Sequence, residues 1–397
     1  MKPRQIAEGV SWVGAVDWDR RLFDALIPLP DGTSYNAYLV EGAEKVALID
    51  AVDPAFAGVL FARLAGVGRI DYVIANHAEQ DHAGTLGPVL ERHPEAALLC
   101  TPKCKPVLID ELHLDPGRIQ TVEDGETVEL GGKTLEFIHM PWVHWPETMV
   151  THLRDDNVLF SCDLFGSHFA TNDLFVTDEA RITEPAKRYY AEIMMPFRKL
   201  IQKHVVKLGE YDIETICPSH GPIHKRPAFI FDAYRDWASD APKNVVVIPY
   251  VSMHDSTRLM VDHLADALTE RGIAVERFNL EDVDLGKLAM GLVDAATVVI
   301  GTPTVLTGAH PKALYAAYLT NALRPKTKFA SIIGSYGWAT RAVDQLVDVV
   351  SSLKLDIVPP VIIKGAPRED DFKELDALAD AIAEKHRGAG LLKETQE

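Results

Sequence analysis

The sequence predicts an α/β chain in two parts, and three observations carry that reading. Before about residue 240, short apolar runs ending in polar residues are interleaved with helix-like segments. After it, five strand-then-helix units follow one another. Between the two textures lies SDAPKN (239–244), whose proline and small polar residues read as a linker. The expected parts are therefore residues 1–243 and 244–397.

In the first part the strand-like runs are YNAYLV (35–40), KVALID (45–50), DYVIAN (71–76), AALLC (96–100), KTLEFI (133–138) and NVLFS (157–161). Such runs suit buried strands whose ends carry loops. Helices are expected at 54–66, 84–92 and 102–112, with a long one at about 184–208. Several strands lead directly into histidines or acids, as in a sheet that presents a site at its loop edge.

The second part pairs VVVIPY (245–250) with a helix at 257–271, and AVERFNL (274–280) with one at 285–294. TVVIGTP (297–303) precedes a helix at 311–323, and KFASIIGSYG (328–337) one at 340–353. IVPPVIIKG (357–365) precedes the last, at about 370–386. Strands alternating with helices mean a parallel sheet covered on both faces.

Bulk composition narrows the function classes. With 397 residues, 47% of them hydrophobic, the chain can bury a sizeable core. A formal net charge of −18 argues against nucleic acid and anionic membranes, which need a basic surface. No run approaches the roughly 18 apolar residues of a membrane span. The start, MKPRQIAEGV, lacks the apolar region of a secretory signal, so the expected location is cytoplasmic. Cys100, Cys104, Cys162 and Cys217 are too few for a disulfide scaffold, and no second pair answers Cys100 and Cys104 to make a zinc ribbon. Buried, inert thiols are expected.

The stretch IANHAEQDHAG (74–84) packs His77, Glu79, Asp81 and His82 into six positions. On a helix Glu79 would point about 200° from His77, so the four cannot converge from one face. From a loop curling off a strand end they can, with Gly84 helping the chain turn into the next helix. Three more candidates stand at element edges: His144 in PWVHWPET, Asp163 after NVLFSC, and His220 in CPSHGP.

This pattern resembles the metallo-β-lactamase fold, an αββα sandwich, over roughly residues 1–240. In hydrolases of that superfamily the cluster reads H-x-H-x-D-H and holds zinc. Here Glu79 takes the second histidine's place, which makes the site harder and more anionic and suits iron. The resemblance implies His77, Glu79 and His144 on one iron and Asp81, His82 and His220 on the other. Asp163 would bridge the two, since a carboxylate has two oxygens. His139, His152, His168 and His224 are expected to be supporting or structural, with His168 the best candidate for direct support. Trp142 and Trp145 are expected to pack and dry the pocket.

The second part resembles flavodoxin, which implies strand order 2-1-3-4-5 with ligand at the strand C-termini. The first such end, PYVSMHDSTR, offers Ser252, Met253, Ser256 and Thr257 at a helix N-terminus, an anion site suited to a phosphate. Asp255 stands where glycine is common, although aspartate tolerates left-handed backbone. The second end, GTPTVLTGAHP, carries Pro303, Thr304, Val305, Leu306, Thr307 and Gly308 beside the expected isoalloxazine ring. The third, GSYGWATRA, carries Ser335, Tyr336, Gly337, Trp338 and Ala339, with Thr340 at a position where glycine is expected.

A β-lactamase-like half with HAEQDH, fused to a flavodoxin-like half, resembles the flavodiiron protein family across nearly the whole chain. That resemblance implies two non-haem irons, FMN, and reduction of dioxygen to water, nitric oxide to nitrous oxide, or both. It also implies a head-to-tail homodimer, alone or as a dimer of dimers. The tail HRGAGLLKETQE carries no rubredoxin or flavin-reductase extension, so an external donor is expected. Rubredoxin is the first choice and a reduced deazaflavin coenzyme the second. Lys187, Arg188, Lys225 and Arg226 are candidates for its docking patch. Two rival readings are a zinc hydrolase with an appended flavodoxin domain and an electron carrier with a vestigial metal site. Iron content separates the first and gas turnover the second.

Overall fold

Strands Tyr38–Glu41, Val46–Ile49, Tyr72–Ile74 and Ala97–Cys100 are apolar because both their faces are covered. They form the centre of a seven-stranded mixed sheet that runs from Arg4–Ala7 at one edge to Ile119–Thr121 at the other. One face packs on helices Ala57–Leu64, Leu86–Arg92 and Cys104–Leu112 through Leu60, Leu86, Val89 and Leu108. The other face sends Val40, Ile49 and Ile74 against Phe137, Met149 and Phe160 of a second sheet. That sheet has five strands, in the order Thr127–Glu129, Thr134–His139, Met149–Leu153, Val158–Cys162 and Thr215–Pro218. Further helices lie at Glu179–Tyr189, Arg198–Leu208 and Pro227–Ala238. The result is an αββα sandwich.

This computed structural model describes residues 1–392; the end of the polar tail read from the sequence lies outside them. The chain divides into two compact units, Met1–Ala238 and Ser239–Glu397. The division falls a few residues before the expected one because Lys243 already pairs with Ala295 in a strand. In the second unit the parallel order is Ala274–Asn279, Lys243–Tyr250, Ala295–Val305, Phe329–Tyr336 and then the last strand, which is order 2-1-3-4-5. Helices Ser256–Glu270 and Glu369–Gly388 share one core under Val246, Val299 and Ile333.

Four local expectations change. The run 35–40 is two strands, Thr33–Tyr35 and Tyr38–Glu41. Asn36 between them turns inward to bond the Pro218 and Gly221 carbonyls. The helix expected at 54–66 opens with a 3-10 turn, Pro54–Phe56, before Ala57–Leu64. The long helix at 184–208 is interrupted by a π turn, Tyr190–Met194, and a 3-10 turn, Met195–Phe197. Pro196 lacks the N–H that would continue it. The last strand splits into Asp356–Ile357 and Val361–Lys364 around Pro359 and Pro360.

Candidate functional site

The opening of the metal cluster is set by the strand end before it. Asp50, at the end of its own strand with φ +55°, accepts from Asn76 N at 2.8 Å and Asn76 Nδ2 at 2.9 Å. Asn76 Oδ1 in turn accepts from Thr151 Oγ1 of the second sheet at 2.8 Å. His77 therefore leaves the first sheet at a point pinned to both. Burial pushes the Asp50 carboxyl up to about 6, against the pull of His82 and the Asn76 bonds.

From there His77, Ala78 and Glu79 run as a loop, and Gln80–Ala83 make one helical turn carrying Asp81 and His82. Gly84 has ordinary helical dihedrals, φ −62° and ψ −19°, so the turn expected of it is not why glycine stands there. A Cβ on it would lie 2.5 Å from the Gln80 carbonyl and 2.6 Å from Pro54 Cγ. The reason is close packing.

The seven candidates converge as two groups around one carboxylate. Glu79 Oε2 lies 3.1 Å from His77 Nε2 and 3.0 Å from His144 Nε2. Asp163 Oδ2 faces the same pair, at 3.6 and 3.7 Å. On the other side Asp81 lies 3.3 Å from His82 Nε2 and 3.2 Å from His220 Nε2. Asp163 Oδ1 faces those two at 3.2 and 3.4 Å. Donors bound to one metal at about 2.0–2.2 Å stand about 3.0–3.5 Å apart, so most of these separations suit groups that could share a metal, with those to Asp163 Oδ2 slightly longer. Both Asp81 oxygens and His82 Nε2 are buried without a hydrogen-bond partner. Such groups are costly unless something else satisfies them. Cys162 adds a third grouping with His82 and Asp163.

Supporting contacts orient the rings. His77 Nδ1 donates to Glu147 Oε1 at 2.7 Å, and Ala78 N reaches the same oxygen at 3.2 Å. His220 Nδ1 donates to the Ser34 carbonyl at 2.7 Å. Each bond leaves Nε2 with its lone pair toward the centre. Tyr189 Oη donates to Asp163 Oδ1 at 2.7 Å. Burial would push the His220 ring down, but Asp163 and Asp81 carry it up to about 10. His77 and His82 are raised against their burial in the same way, by Glu147 and Glu79 for His77 and by Asp81 and Asp163 for His82. Burial would raise Glu79, yet hydrogen bonds from His144 and His77 hold it below the usual carboxylate range.

The flanking residues sort by contact. Trp145 packs edge-on against His77, ring centres 4.9 Å apart. Trp142 does not face the site as expected; it stacks on Phe197 and is half-exposed. His168 lies 4.8 Å from the His220 ring and bonds Thr33 Oγ1 at 2.9 Å, and burial keeps it neutral. His139, His152 and His224 bond the carbonyls of Val122, Asp212 and Phe165. Arg188 is 5% exposed, so it cannot belong to a surface docking patch. Lys225 lies over Phe175, and Arg226 pairs with Glu179 at 3.0 Å. Glu147, Tyr189 and Asp50 were not among the sequence candidates. Glu147, a lone acid three residues after His144, and Asp50, an acid closing an apolar strand, carried a readable signal. Tyr189 carried none.

In the second unit a solvent-open cleft of about 350 Å³ lies at the strand C-termini. Ser252, Met253, Ser256, Thr257, Pro303, Thr304, Ser335, Tyr336, Gly337 and Trp338 line it. His254, Gly365 and Ala366 line it too and were not anticipated. Val305, Leu306, Thr307, Gly308 and Ala339 do not line it. Leu306 and Thr307 make the turn to Gly308–Ala309 with φ +48° and +68°, and Leu306 is 88% exposed. Thr340, at the position where glycine was expected, accepts from Thr304 Oγ1 at 2.8 Å and from Ala342 N at 3.1 Å, tying the two loops together.

Comparison with known proteins gives concordant results. A profile described as ODP family beta lactamase matches residues 33–221. A nitric oxide reductase of Moorella thermoacetica is 35% identical over 397 residues, covering 96% of this chain and 98% of that protein. The structure of rubredoxin oxygen:oxidoreductase from Desulfovibrio gigas superposes with a TM-score of 0.94 at 30% identity, covering 98% of this chain and 99% of that one. A flavodiiron protein from Giardia intestinalis gives a TM-score of 0.88 at 28% identity, covering 97% and 98%.

Proposed function

This chain belongs to the flavodiiron protein family, and on that premise we propose that it reduces dioxygen to water, nitric oxide to nitrous oxide, or both. The reaction takes place at a non-haem diiron centre in the first unit, with FMN in the second unit relaying electrons from an external donor. One observation carries the assignment. The two oxygens of Asp163 face two separate sets of ligands, His77, Glu79 and His144 on one side and Asp81, His82 and His220 on the other. A bridging carboxylate between two metal positions has that geometry. The orphaned Asp81 and His82 atoms fit the same reading. So does charge: Glu79, Asp81, Asp163 and Glu147 bring four negatives, which balance two ferrous ions.

The cleft fits FMN by a similar test. Thr257 Oγ1 is buried there without a partner at the start of a fifteen-residue helix, where an anion is favoured. Ser252 and Ser256 add hydroxyls, while Tyr336 and Trp338 supply rings for the isoalloxazine.

When bound, two ferrous ions and one reduced FMN supply the four electrons that take dioxygen to water, or the two that join two nitric oxide molecules into nitrous oxide. The chain's own residues prepare the place. Glu147 and the Ser34 carbonyl fix the tautomers of His77 and His220. Tyr189 holds the rotation of the Asp163 carboxylate. Trp145 and the neutral His168 close the sides with apolar or uncharged surface, which strengthens every charge interaction inside.

Rubredoxin is the favoured donor, as the name of the Desulfovibrio gigas enzyme suggests, with a reduced deazaflavin coenzyme second. The assembly is a head-to-tail homodimer, by family resemblance; an active preparation with the mass of one subunit would refute it. No helix among the described residues is long and apolar enough to cross a membrane. The four cysteines are free and buried, as thiols of a cytoplasmic protein would be, and that location is part of the proposal. The deciding experiment is turnover. Protein purified anaerobically and reduced through rubredoxin should consume dioxygen or nitric oxide at an electrode. Two irons and FMN without any gas consumption would refute the reading. Zinc in place of iron would restore the hydrolase.

A further inference from the structure

Asp255 is an odd residue for a phosphate cradle. It immediately precedes helix Ser256–Glu270 with φ +61°, a conformation open to glycine, asparagine and aspartate. Its side chain caps no helix N–H. The backbone shape explains its presence, but its charge then sits at the helix end that would receive a phosphate. Two anions compete for one positive end.

The carboxylate is not left alone. Arg258 Nε donates to Asp255 Oδ1 at 2.9 Å, and Arg258 Nη1 reaches Asp262 Oδ2 at 3.3 Å. Arg277 Nη1 bonds the other oxygen of Asp262 at 2.5 Å. The row Asp255, Arg258, Asp262, Arg277 alternates in sign, and its two acids and two bases sum to zero. The backbone N–H of Arg258 also donates to Ser252 Oγ at 3.2 Å, which ties the same residue to the cradle wall.

We infer that the Asp255–Arg258 pair sets how strongly the cleft prefers a phosphorylated flavin, with Arg258 cancelling a carboxylate that the loop keeps for its backbone. This rests on the reading of the cleft as the FMN site, and Thr257 Oγ1, buried and unpartnered in it, is the independent sign of an anion there. The pair is exposed, Asp255 at 68% and Arg258 at 47% of the side chain, so solvent screens it and the effect is a few-fold one.

The test compares FMN with riboflavin, which has the same ring and no phosphate. Apoprotein of the full chain is titrated with each by flavin fluorescence quenching at low salt. Asp255→Asn keeps a residue that tolerates the backbone and leaves the row at +1. It should tighten FMN about three- to fivefold. Arg258→Gln leaves the row at −1 and should weaken FMN by a similar factor, and the double variant should return near the wild type. Riboflavin should stay within about twofold throughout, and 1 M salt, with a Debye length of about 3 Å, should erase the FMN differences. FMN binding that ignores both charges, or riboflavin shifts that follow those of FMN, would overturn this inference alone. Wild-type apoprotein that binds neither flavin would overturn the cleft assignment as well.

Discussion

Glu147→Gln isolates the electrostatic part of the support given to the centre. Glu147 is buried, with one oxygen 2.7 Å from His77 Nδ1 and the other without a hydrogen-bond partner. Glutamine keeps the shape and can still accept from His77, but it removes one of four negative charges. It also places an amide N–H₂ where the partnerless oxygen stood. Supporting partners of metal-bound histidines are typically worth about 10–100-fold in metal affinity, or about 1.4–2.7 kcal/mol. The loss should fall mainly on the iron held by His77, Glu79 and His144, because Asp81, His82 and His220 do not touch Glu147. Chelator competition on the reduced protein should therefore show one weakened iron of two, and gas turnover should fall with it. Circular dichroism should stay unchanged, since the backbone bonds to this carboxylate, from Ala78 N at 3.2 Å and from Glu147's own N–H, are local to the loop. A variant with both irons at wild-type affinity and full turnover would refute the argument.

Three further outcomes follow. Glu79→His restores the H-x-H-x-D-H pattern of the zinc hydrolases, so the variant expressed in zinc-containing medium should take more zinc and lose gas reduction; unchanged iron content by elemental analysis would contradict this. Metal loading should release protons, because without metal the neighbouring carboxylates carry His220 up to about 10 and His77 well above its ordinary value, and raise His82 as well. Calorimetry in two buffers of different ionisation enthalpy should show a release of up to about three, and none would count against the site. His386 is fully buried, bonded to Thr297 and Asn244, and burial pushes it down to about 4. It stays neutral when folded while the unfolded chain binds a proton below pH 6.5. Its contribution is thus complete above pH 6.5 and lost as pH falls toward 4, on the order of 3 kcal/mol in all. Denaturant unfolding of the second unit should show that slope, and His386→Asn should flatten it.

Much of the architecture was legible in the sequence because local pattern and burial agree. Five strand–helix alternations allow only a parallel, two-faced sheet, and the helix at 285–294 and that at 311–323 stand as read. The readings failed where a single residue overrides a pattern. Pro196 breaks an otherwise continuous helix, and Asn36 turns inward from a strand-like run. The candidate metal cluster stood out for a chemical reason: four side chains able to ligate, in six positions, have few other uses.

What the sequence determined by itself was therefore the two-part α/β plan and the types of the candidate ligands, with Glu79 as a hard, anionic member among them. What only the tertiary structure decided was how those groups are shared and supported. That Asp163 turns one oxygen to each set of ligands depends on strands from two sheets meeting at one edge. Glu147 reaches His77 across 70 residues, and Tyr189 reaches Asp163 across 26. Asp255 points to Arg258 only because the helix after it brings both onto one turn. Residue type and spacing are local properties, whereas the direction of a side chain and the identity of its partner are set by packing between distant segments.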